Sequence, residues 1–118
     1  MFRSRQKAGR VTYTDAFVSI NGAAALVWYD ADGAIIEANE NFERLLGYEA
    51  GELDGQPFDS VHPSHIVTKA DNAAFWARIK SGEFLAGHFM RQHKDGRIII
   101  MFGRYYPILD KNGRTREV

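Results

Sequence analysis

The sequence predicts an α+β domain in which helices pack over one face of an antiparallel sheet. Three observations support this fold class. With 118 residues, 45% of them hydrophobic and 25% charged, the chain suits a single domain that buries its own core. Apolar runs of strand length lie on both sides of a helical middle section. Tight-turn signals such as Asp32-Gly33 and Asp95-Gly96 join neighbouring runs, and strands joined in this way pair antiparallel.

The first 22 residues are expected to form an arm and a flanking helix, and residues 23–118 the main domain. Residues 2–10 carry four basic side chains and no acidic one, which is typical of a mobile linker, with a nucleic-acid or membrane contact as the alternative. Thr14-Asp15 can cap a short amphipathic helix that ends at Asn21-Gly22.

A hairpin followed by a helix is predicted next. Apolar runs at residues 24–29 and 35–36 flank a turn at residues 30–33. Asn39 can act as the N-cap of the helix, and Gly47 lies where helices commonly end. Three apolar residues are spaced to share one face of this helix: Phe42, Leu45 and Leu46.

The second half predicts a long helix and then a long hairpin. The helix is expected from Ile66 to Lys80, with Asp71 as a position where it can be interrupted. Two strand-like runs follow at residues 83–92 and 97–109, and a final short run begins at Arg114. Pro107 has no N–H to donate, so it requires a bulge or a position near the end of its strand.

Composition excludes several classes of function. Fifteen basic and fifteen acidic residues cancel, so the domain as a whole offers no electrostatic case for binding nucleic acid. No apolar run approaches the roughly 18 residues that span a bilayer, so no membrane contact is expected from this segment. The absence of cysteine excludes disulfides and thiolate sites and fits a reducing compartment, so a cytoplasmic location is expected.

Catalysis and metal binding are not expected either. Asp59, His62 and Ser64 are the residue types of a hydrolytic triad, but they crowd one loop and do not easily reach its geometry. His62 and His65 are three residues apart, but Pro63 between them argues against a shared helical face. The protein is therefore predicted not to be an enzyme, and no metal site is predicted.

Several segments, taken in order, match one known family. They are Val27 to Phe58, Ala74 to Phe89, and the runs KDGRIII and YYPILDKNGR. By these the chain resembles a PAS domain, a small sensory module of bacterial signalling proteins. Within that family, the run FWARIKSGE at residues 75–83 and the His62-Pro63 pair resemble the modules of methyl-accepting chemotaxis transducers, including the aerotaxis type.

The resemblance implies a fold and a function. The fold is a five-stranded antiparallel sheet in spatial order 2-1-5-4-3, with helices wrapped over one face to form a pocket. The function is sensing of a small ligand or redox state, relayed to a flanking effector such as a chemotaxis transducer. The family's last strand normally runs about ten residues from near Arg114, so here it is either cut short at Val118 or supplied by a neighbour.

The resemblance also implies pocket residues. Aerotaxis-type relatives hold flavin adenine dinucleotide (FAD), and Asn39, His62 and Trp76 match positions of that pattern. Arg91 departs from it, because the pattern has an asparagine there, whose amide both donates and accepts, whereas a guanidinium only donates. Trp28 and Trp76 are either aromatic walls of the pocket or core residues.

Haem is a second cofactor that the family allows, and His65, expected at the start of the long helix, is the candidate axial ligand. An empty pocket or a small organic ligand is the third alternative. Strand residues 98–105 are apolar on both faces, so either the N-terminal helix or a partner subunit is expected to cover the second face, and a homodimer is predicted. From another class, a protein-interaction domain with a filled core and no ligand remains open.

Overall fold

The computed structural model describes residues 11–118, so the arm predicted at residues 2–10 lies outside the described residues. It contains three α-helices, six strands and one 3-10 helix, in the α+β arrangement that the sequence predicts. The helices are α1 (Tyr13–Ala23), α2 (Glu40–Leu46) and α3 (Lys69–Lys80), with the 3-10 helix at Phe58–Val61. The strands are β1 (Val27–Tyr29), β2 (Ile35–Ala38), β3 (Leu85–Gln92), β4 (Ile98–Tyr105), β5 (Ile108–Leu109) and β6 (Thr115–Glu117). No helix among these residues is long and apolar enough to cross a bilayer.

Side-chain caps fix where the outer helices begin. At α1, Thr12 accepts from the backbone N–H of Asp15, whose carboxylate accepts in return from the Thr12 N–H, so the cap lies two residues before the predicted Thr14. At α3, Thr68 and Asp71 form the same capping box. The helix predicted from Ile66 therefore begins at Lys69, and Asp71 supports its first turn instead of interrupting it.

Helix α2 has the boundaries that its sequence predicts. The Asn39 side chain accepts from the backbone N–H of Phe42 at 2.9 Å, and Gly47 ends the helix in the left-handed conformation with φ of 80°. The Asn39 amide also joins the helix to the preceding chain, because it accepts from the Leu26 N–H and donates to the Ala24 carbonyl. Asn39 is thus committed to holding β1 against α2.

The strands form three antiparallel pairs: β1 with β2, β3 with β4 and β5 with β6. These separate ladders do not form the single five-stranded sheet of order 2-1-5-4-3 that the resemblance implies. Pro107 divides the predicted long strand into β4 and β5, because its missing N–H interrupts the ladder. Two hydrogen bonds, in which Tyr29 and Val118 each donate to the other's carbonyl, join the first pair to the end of β6. Within residues 11–118, β1 and β4 have no ladder between them.

The core lies between the helices and one face of the strands. Phe42 and Leu46 of α2 and Ile79 of α3 belong to the same buried cluster as Tyr29 and Tyr105 from the strands. Both helices therefore lie over one face of the sheet, as the pocket requires. Along β4 the odd-numbered residues pack towards this core, while Ile98, Ile100 and Phe102 are exposed on the other face.

Candidate functional site

A cavity of about 540 Å³ opens between the edges of β1 and β4. Its inner half faces the core and is lined by Tyr29, Phe42, Phe89, Arg91 and Tyr105. Its outer half is lined by Phe17 and Ile20 of α1 and by three outward-facing strand residues, Trp28, Phe102 and Arg104. No ladder joins β1 and β4 within residues 11–118, and residues from both faces of these strands line the cavity.

Aromatic rings fill the space between α3 and the sheet. Phe75 lies 5.2 Å from Tyr105 and 5.4 Å from Phe89, measured between ring centroids. Trp76 lies 5.5 Å from Tyr29 and donates its indole N–H to the Ala31 carbonyl at 3.0 Å. These rings therefore fill the predicted pocket next to α3. Next to the strands, Tyr29, Phe89 and Tyr105 of the same ring cluster line the cavity.

Arg91 is the one buried cation at this cavity among the described residues, with 5% of its surface exposed. Its guanidinium donates to the Met90 carbonyl at 2.7 Å and to the Tyr105 hydroxyl, and its central carbon lies 5.4 Å from the centre of the Phe89 ring. These bonds use two of the five N–H groups of a guanidinium. No carboxylate in residues 11–118 forms an ion pair with it.

The Tyr29 hydroxyl is buried at the same cavity without a hydrogen-bond partner among residues 11–118. Burial raises the pKa of Tyr29 well above its usual range; the nearby Tyr105 adds to this and Arg91 opposes it. The Tyr29 hydroxyl is therefore protonated, and the Tyr105 hydroxyl lies close enough to contribute to this shift.

His62 is buried next to the same aromatic cluster, with its ring 4.6 Å from that of Phe58. Its Nδ1 lies 2.7 Å from the Asn72 Oδ1, which can only accept, so the proton is assigned to Nδ1. Its Nε2 is buried without a partner in the described part of the chain. Burial, with help from the charge of Arg91, lowers the pKa of His62 from 6.5 to about 4, against the opposing effects of Asn72 and Asp59.

The predicted site residues divide into two groups. Arg91, Trp76 and His62 surround the aromatic cluster. Asn39 caps α2, and Trp28 lies on the outer side of β1 with its ring 5.9 Å from that of Phe17, so α1 partly covers that face.

His65 lies in an exposed turn before α3, not at the start of a helix facing the core. That position does not support an axial haem ligand. Within residues 11–118, no cluster of three metal-binding side chains was found.

Sequence reasoning did not place Tyr29 and Tyr105 at the site. The available signal was strand alternation, since Tyr105 shares a face of β4 with residues paired to Phe89 and Arg91 of β3. Tyr29 joins them only through the three-dimensional fold, and no local pattern indicates that contact.

The PAS fold family model matches residues 35–118. The chain is 34% identical over 100 residues to the Biofilm dispersion protein BdlA of Pseudomonas aeruginosa, which covers 85% of this chain and 24% of that protein. It is 37% identical over 68 residues to the Aerotaxis receptor of Escherichia coli, which covers 57% of this chain and 13% of that receptor. The chain thus spans about a quarter or less of the length of these curated relatives.

Solved structures share the fold. A PAS domain of a protein from Colwellia psychrerythraea superposes with a TM-score of 0.72 at 24% identity, covering 90% of this chain and 91% of that one. An RNA-binding light-oxygen-voltage receptor gives a TM-score of 0.74 at 19% identity, covering 99% of this chain and 34% of that one. A light-oxygen-voltage domain studied with a flavin analogue gives 0.71 at 16% identity, covering 90% and 79%. At these identities the likeness establishes the fold alone.

Proposed function

This chain belongs to the PAS fold family, and we propose that it is a sensory module whose cavity binds a small molecule and relays its occupancy to a flanking effector. The effector we propose is the signalling part of a chemotaxis transducer, since the Aerotaxis receptor is among its relatives. We propose no catalytic step. We propose a cytoplasmic location, because the absence of cysteine from the sequence fits a reducing compartment.

One observation carries the proposal: polar groups without partners are buried at the cavity. The Tyr29 hydroxyl has no hydrogen-bond partner, and the Arg91 charge has no counterion within residues 11–118. Burying a polar group without a partner costs roughly 1–3 kcal/mol, and a charge costs more. A fold that keeps both at a cavity favours a ligand that satisfies them.

A relay path begins at the same strand. Arg91 lies two residues before His93, whose imidazole packs against Gly47 at the end of α2. The Lys94 N–H donates to the Leu46 carbonyl at 2.9 Å. A ligand that shifts β3 would therefore shift α2 as well, and the coupling requires that the two positions differ in ligand affinity.

Helix α1 is a second element through which a change in the cavity could be transmitted. Phe17 and Ile20 line the outer half of the cavity, so a change in its shape reaches α1 directly. We propose that residues 1–22 are the connecting arm and helix and that residues 23–118 are the sensory domain.

We still propose the family strand order 2-1-5-4-3, in which strand 5 is the last strand, the one that begins here with β6. β6 pairs with β5, and its neighbour Val118 exchanges hydrogen bonds with Tyr29 of β1. An extended segment that runs on in the direction of β6 would lie between β1 and β4 and close the outer half of the cavity. The inner half would then be the ligand chamber.

A ligand-free interaction domain is the second candidate, and the ring packing beneath α3 favours it. Six rings already occupy that space: Tyr29, Phe58, Phe75, Trp76, Phe89 and Tyr105. In this alternative the domain would act through the exposed apolar face of β4 without a chemical input.

The purified protein distinguishes the two candidates. Native mass spectrometry and a visible absorption spectrum would report a bound small molecule, and a flavin or Soret band would identify the flavin or haem alternatives. A bound molecule, or small molecules that shift the NMR signals of Phe89 and Tyr105 in a saturable way, would support sensing. A colourless protein that carries no small molecule and binds none at millimolar concentration would contradict it.

A further inference from the structure

We propose that the ligand of the inner cavity is a small organic carboxylate with a planar apolar body, anchored by the guanidinium of Arg91. The inference rests on the proposed sensory function and names the chemical class of its ligand. It follows from three features of the cavity: its charge, its hydrogen-bonding groups and its walls.

The charge of the inner cavity is one uncompensated cation. Arg91 is buried, and Glu43, the one buried carboxylate among the described residues, accepts instead from the Gly51 N–H at 2.7 Å. Buried charges are normally paired, because removing an unpaired ion from water is strongly unfavourable. A ligand carboxylate supplies the missing partner, and its two oxygens match the fork of a guanidinium.

The hydrogen-bonding groups around Arg91 are donors. The Tyr105 hydroxyl accepts from Arg91 and lies close enough to the buried Tyr29 hydroxyl to interact with it. Whichever phenol donates to the other, one phenol proton is left to donate to a ligand. Arg91 itself retains three N–H groups beyond the two that are engaged. An ionised carboxylate accepts about four hydrogen bonds, so it fits a group of donors that lacks an acceptor.

A single cation favours a carboxylate over a phosphate. A phosphate monoester carries a charge of about −1.5 to −2 and three acceptor oxygens, so it calls for more than one cation. Arg104 also lines the cavity, but it is exposed on the outer face, with its guanidinium 5.6 Å from the centre of the Phe102 ring. It does not add to the charge beside Arg91.

The walls favour a planar apolar body. Phe42 and Phe89 line the inner half with Met101 and Val27, and none of these side chains carries a hydrogen-bonding group other than the weakly accepting sulfur. Aromatic side chains gain most from planar partners stacked or set edge to face. The carboxylate end and the apolar end of the ligand therefore have separate surfaces to contact.

Calorimetric titration with a panel of probes tests this inference. The probes are benzoate, phenylacetate and 4-hydroxybenzoate, each with its neutral amide, and phenyl phosphate. We expect at least one carboxylate to bind at least tenfold more tightly than its amide and than phenyl phosphate. Arg91→Gln should weaken that carboxylate at least tenfold and leave the amide unchanged. Arg97→Gln is the matched control, because Arg97 lies in the same hairpin, is exposed and pairs with Asp95.

Tyr29→Phe keeps the inference testable if Arg91→Gln does not fold. It removes one buried hydroxyl beside Tyr105 and should weaken carboxylate binding several-fold. Amides that bind as tightly as carboxylates would overturn the carboxylate class and leave small-molecule sensing intact. Tighter binding of phenyl phosphate, or equal losses in Arg91→Gln and Arg97→Gln, would also overturn it. If neither carboxylates nor amides bind and the purified protein carries no small molecule, both this inference and the sensory proposal fail.

Discussion

Arg91 is held in the folded domain by contacts that do not neutralise it. The Tyr105 hydroxyl, the Met90 carbonyl and the face of the Phe89 ring surround the guanidinium, and each offers partial negative charge only. The ligand-free domain therefore bears the cost of a buried cation. Such a cost is tolerable at a binding site, because a ligand that pairs with the cation recovers it.

Replacing Arg91 should separate stability from binding. We expect Arg91→Met, which keeps the volume and removes the charge, to raise the free energy of unfolding of the ligand-free domain by about 1 kcal/mol. Urea denaturation measures this, with the exposed Arg97→Met as control. A loss of more than about 2 kcal/mol would mean that Arg91 is a structural residue and not a binding residue.

His62 should make the stability of the domain depend on pH. Its pKa falls from 6.5 in the unfolded chain to about 4 in the fold, so between these values the unfolded state binds more protons. Stability is then fully present above pH 6.5 and declines as the pH falls towards 4, by up to about 3 kcal/mol. Denaturation at pH 7 and pH 4.5 should show a smaller difference in His62→Gln than in the wild type. His65→Gln, at an exposed site, should keep the wild-type difference; equal pH dependence in all three proteins would refute this assignment.

At the scale of elements, the contact between α2 and the β3–β4 hairpin carries the proposed signal. Gly47 adopts φ of 80°, and a Cβ built on it would lie 2.3 Å from the Cε1 of His93. Both the backbone conformation and the close approach of the imidazole therefore require glycine. This packing keeps the hairpin turn and the end of α2 together.

Substituting Gly47 should lower the free energy of unfolding by more than backbone strain alone would. We expect Gly47→Ala to destabilise by about 2–3 kcal/mol, since it adds a steric clash to the roughly 1–2 kcal/mol of a left-handed alanine. Gly55→Ala is the matched control, because Gly55 has φ of 79° and nothing within 4 Å of its Cβ position. Thermal or urea unfolding compares the two. His93→Ala should relieve the excess in Gly47→Ala, and equal losses in the two glycine variants would show that the imidazole does not press on this position.

Local elements could be predicted from the sequence, and the reasons are physical. Asn39 and Gly47 act within one turn of α2, and the turn at Asp95-Gly96 joins adjacent strands, so neighbouring residues determine both. The apolar spacing from Ile66 predicts too early a start for α3, because the capping box of Thr68 and Asp71 sets that start at Lys69. Pro107 interrupts its strand as the sequence predicts, while the pairing of β5 with β6 is a contact that local sequence does not indicate.

The candidate site was only partly predictable, since it is built from long-range contacts. Arg91 was singled out for its departure from the flavin pattern, but its burial without a counterion follows from three-dimensional packing. Tyr29 and Tyr105 are 76 positions apart in the chain and meet with ring centroids at 6.3 Å. The predicted role of His65 requires it to start the long helix, but α3 begins four residues later, at Lys69.

At the scale of the whole molecule, one face of the domain remains apolar and exposed. Ile100 and Phe102 are 68% and 61% exposed on the outer face of β4, while Phe17 of α1 packs against Trp28 of β1 on the same side. Contiguous apolar surface of this kind marks an interaction site in soluble proteins. We propose a second copy of the chain as its partner, so that two sensory domains would respond together.

The oligomeric state tests this proposal. We expect light scattering to find a dimer in the wild type and a monomer in Ile100→Lys, because a buried lysine at the interface would lack a partner charge. Ile66→Lys is the control, since Ile66 is 46% exposed and belongs to the turn before α3 and not to β4. A wild-type monomer at high concentration, or a dimer that persists in Ile100→Lys, would contradict it.

The measurement that tests the account most directly is the NMR signal of the Arg91 side-chain Nε–H during titration with benzoate and benzamide. A carboxylate seated on the guanidinium should shift this signal in a saturable, one-to-one manner, while benzamide and the signals of exposed arginines such as Arg97 change little. An Arg91 signal that stays in place while carboxylates bind, or that moves equally with the amide, would contradict the central claim that this buried cation is the anchor of a sensed ligand.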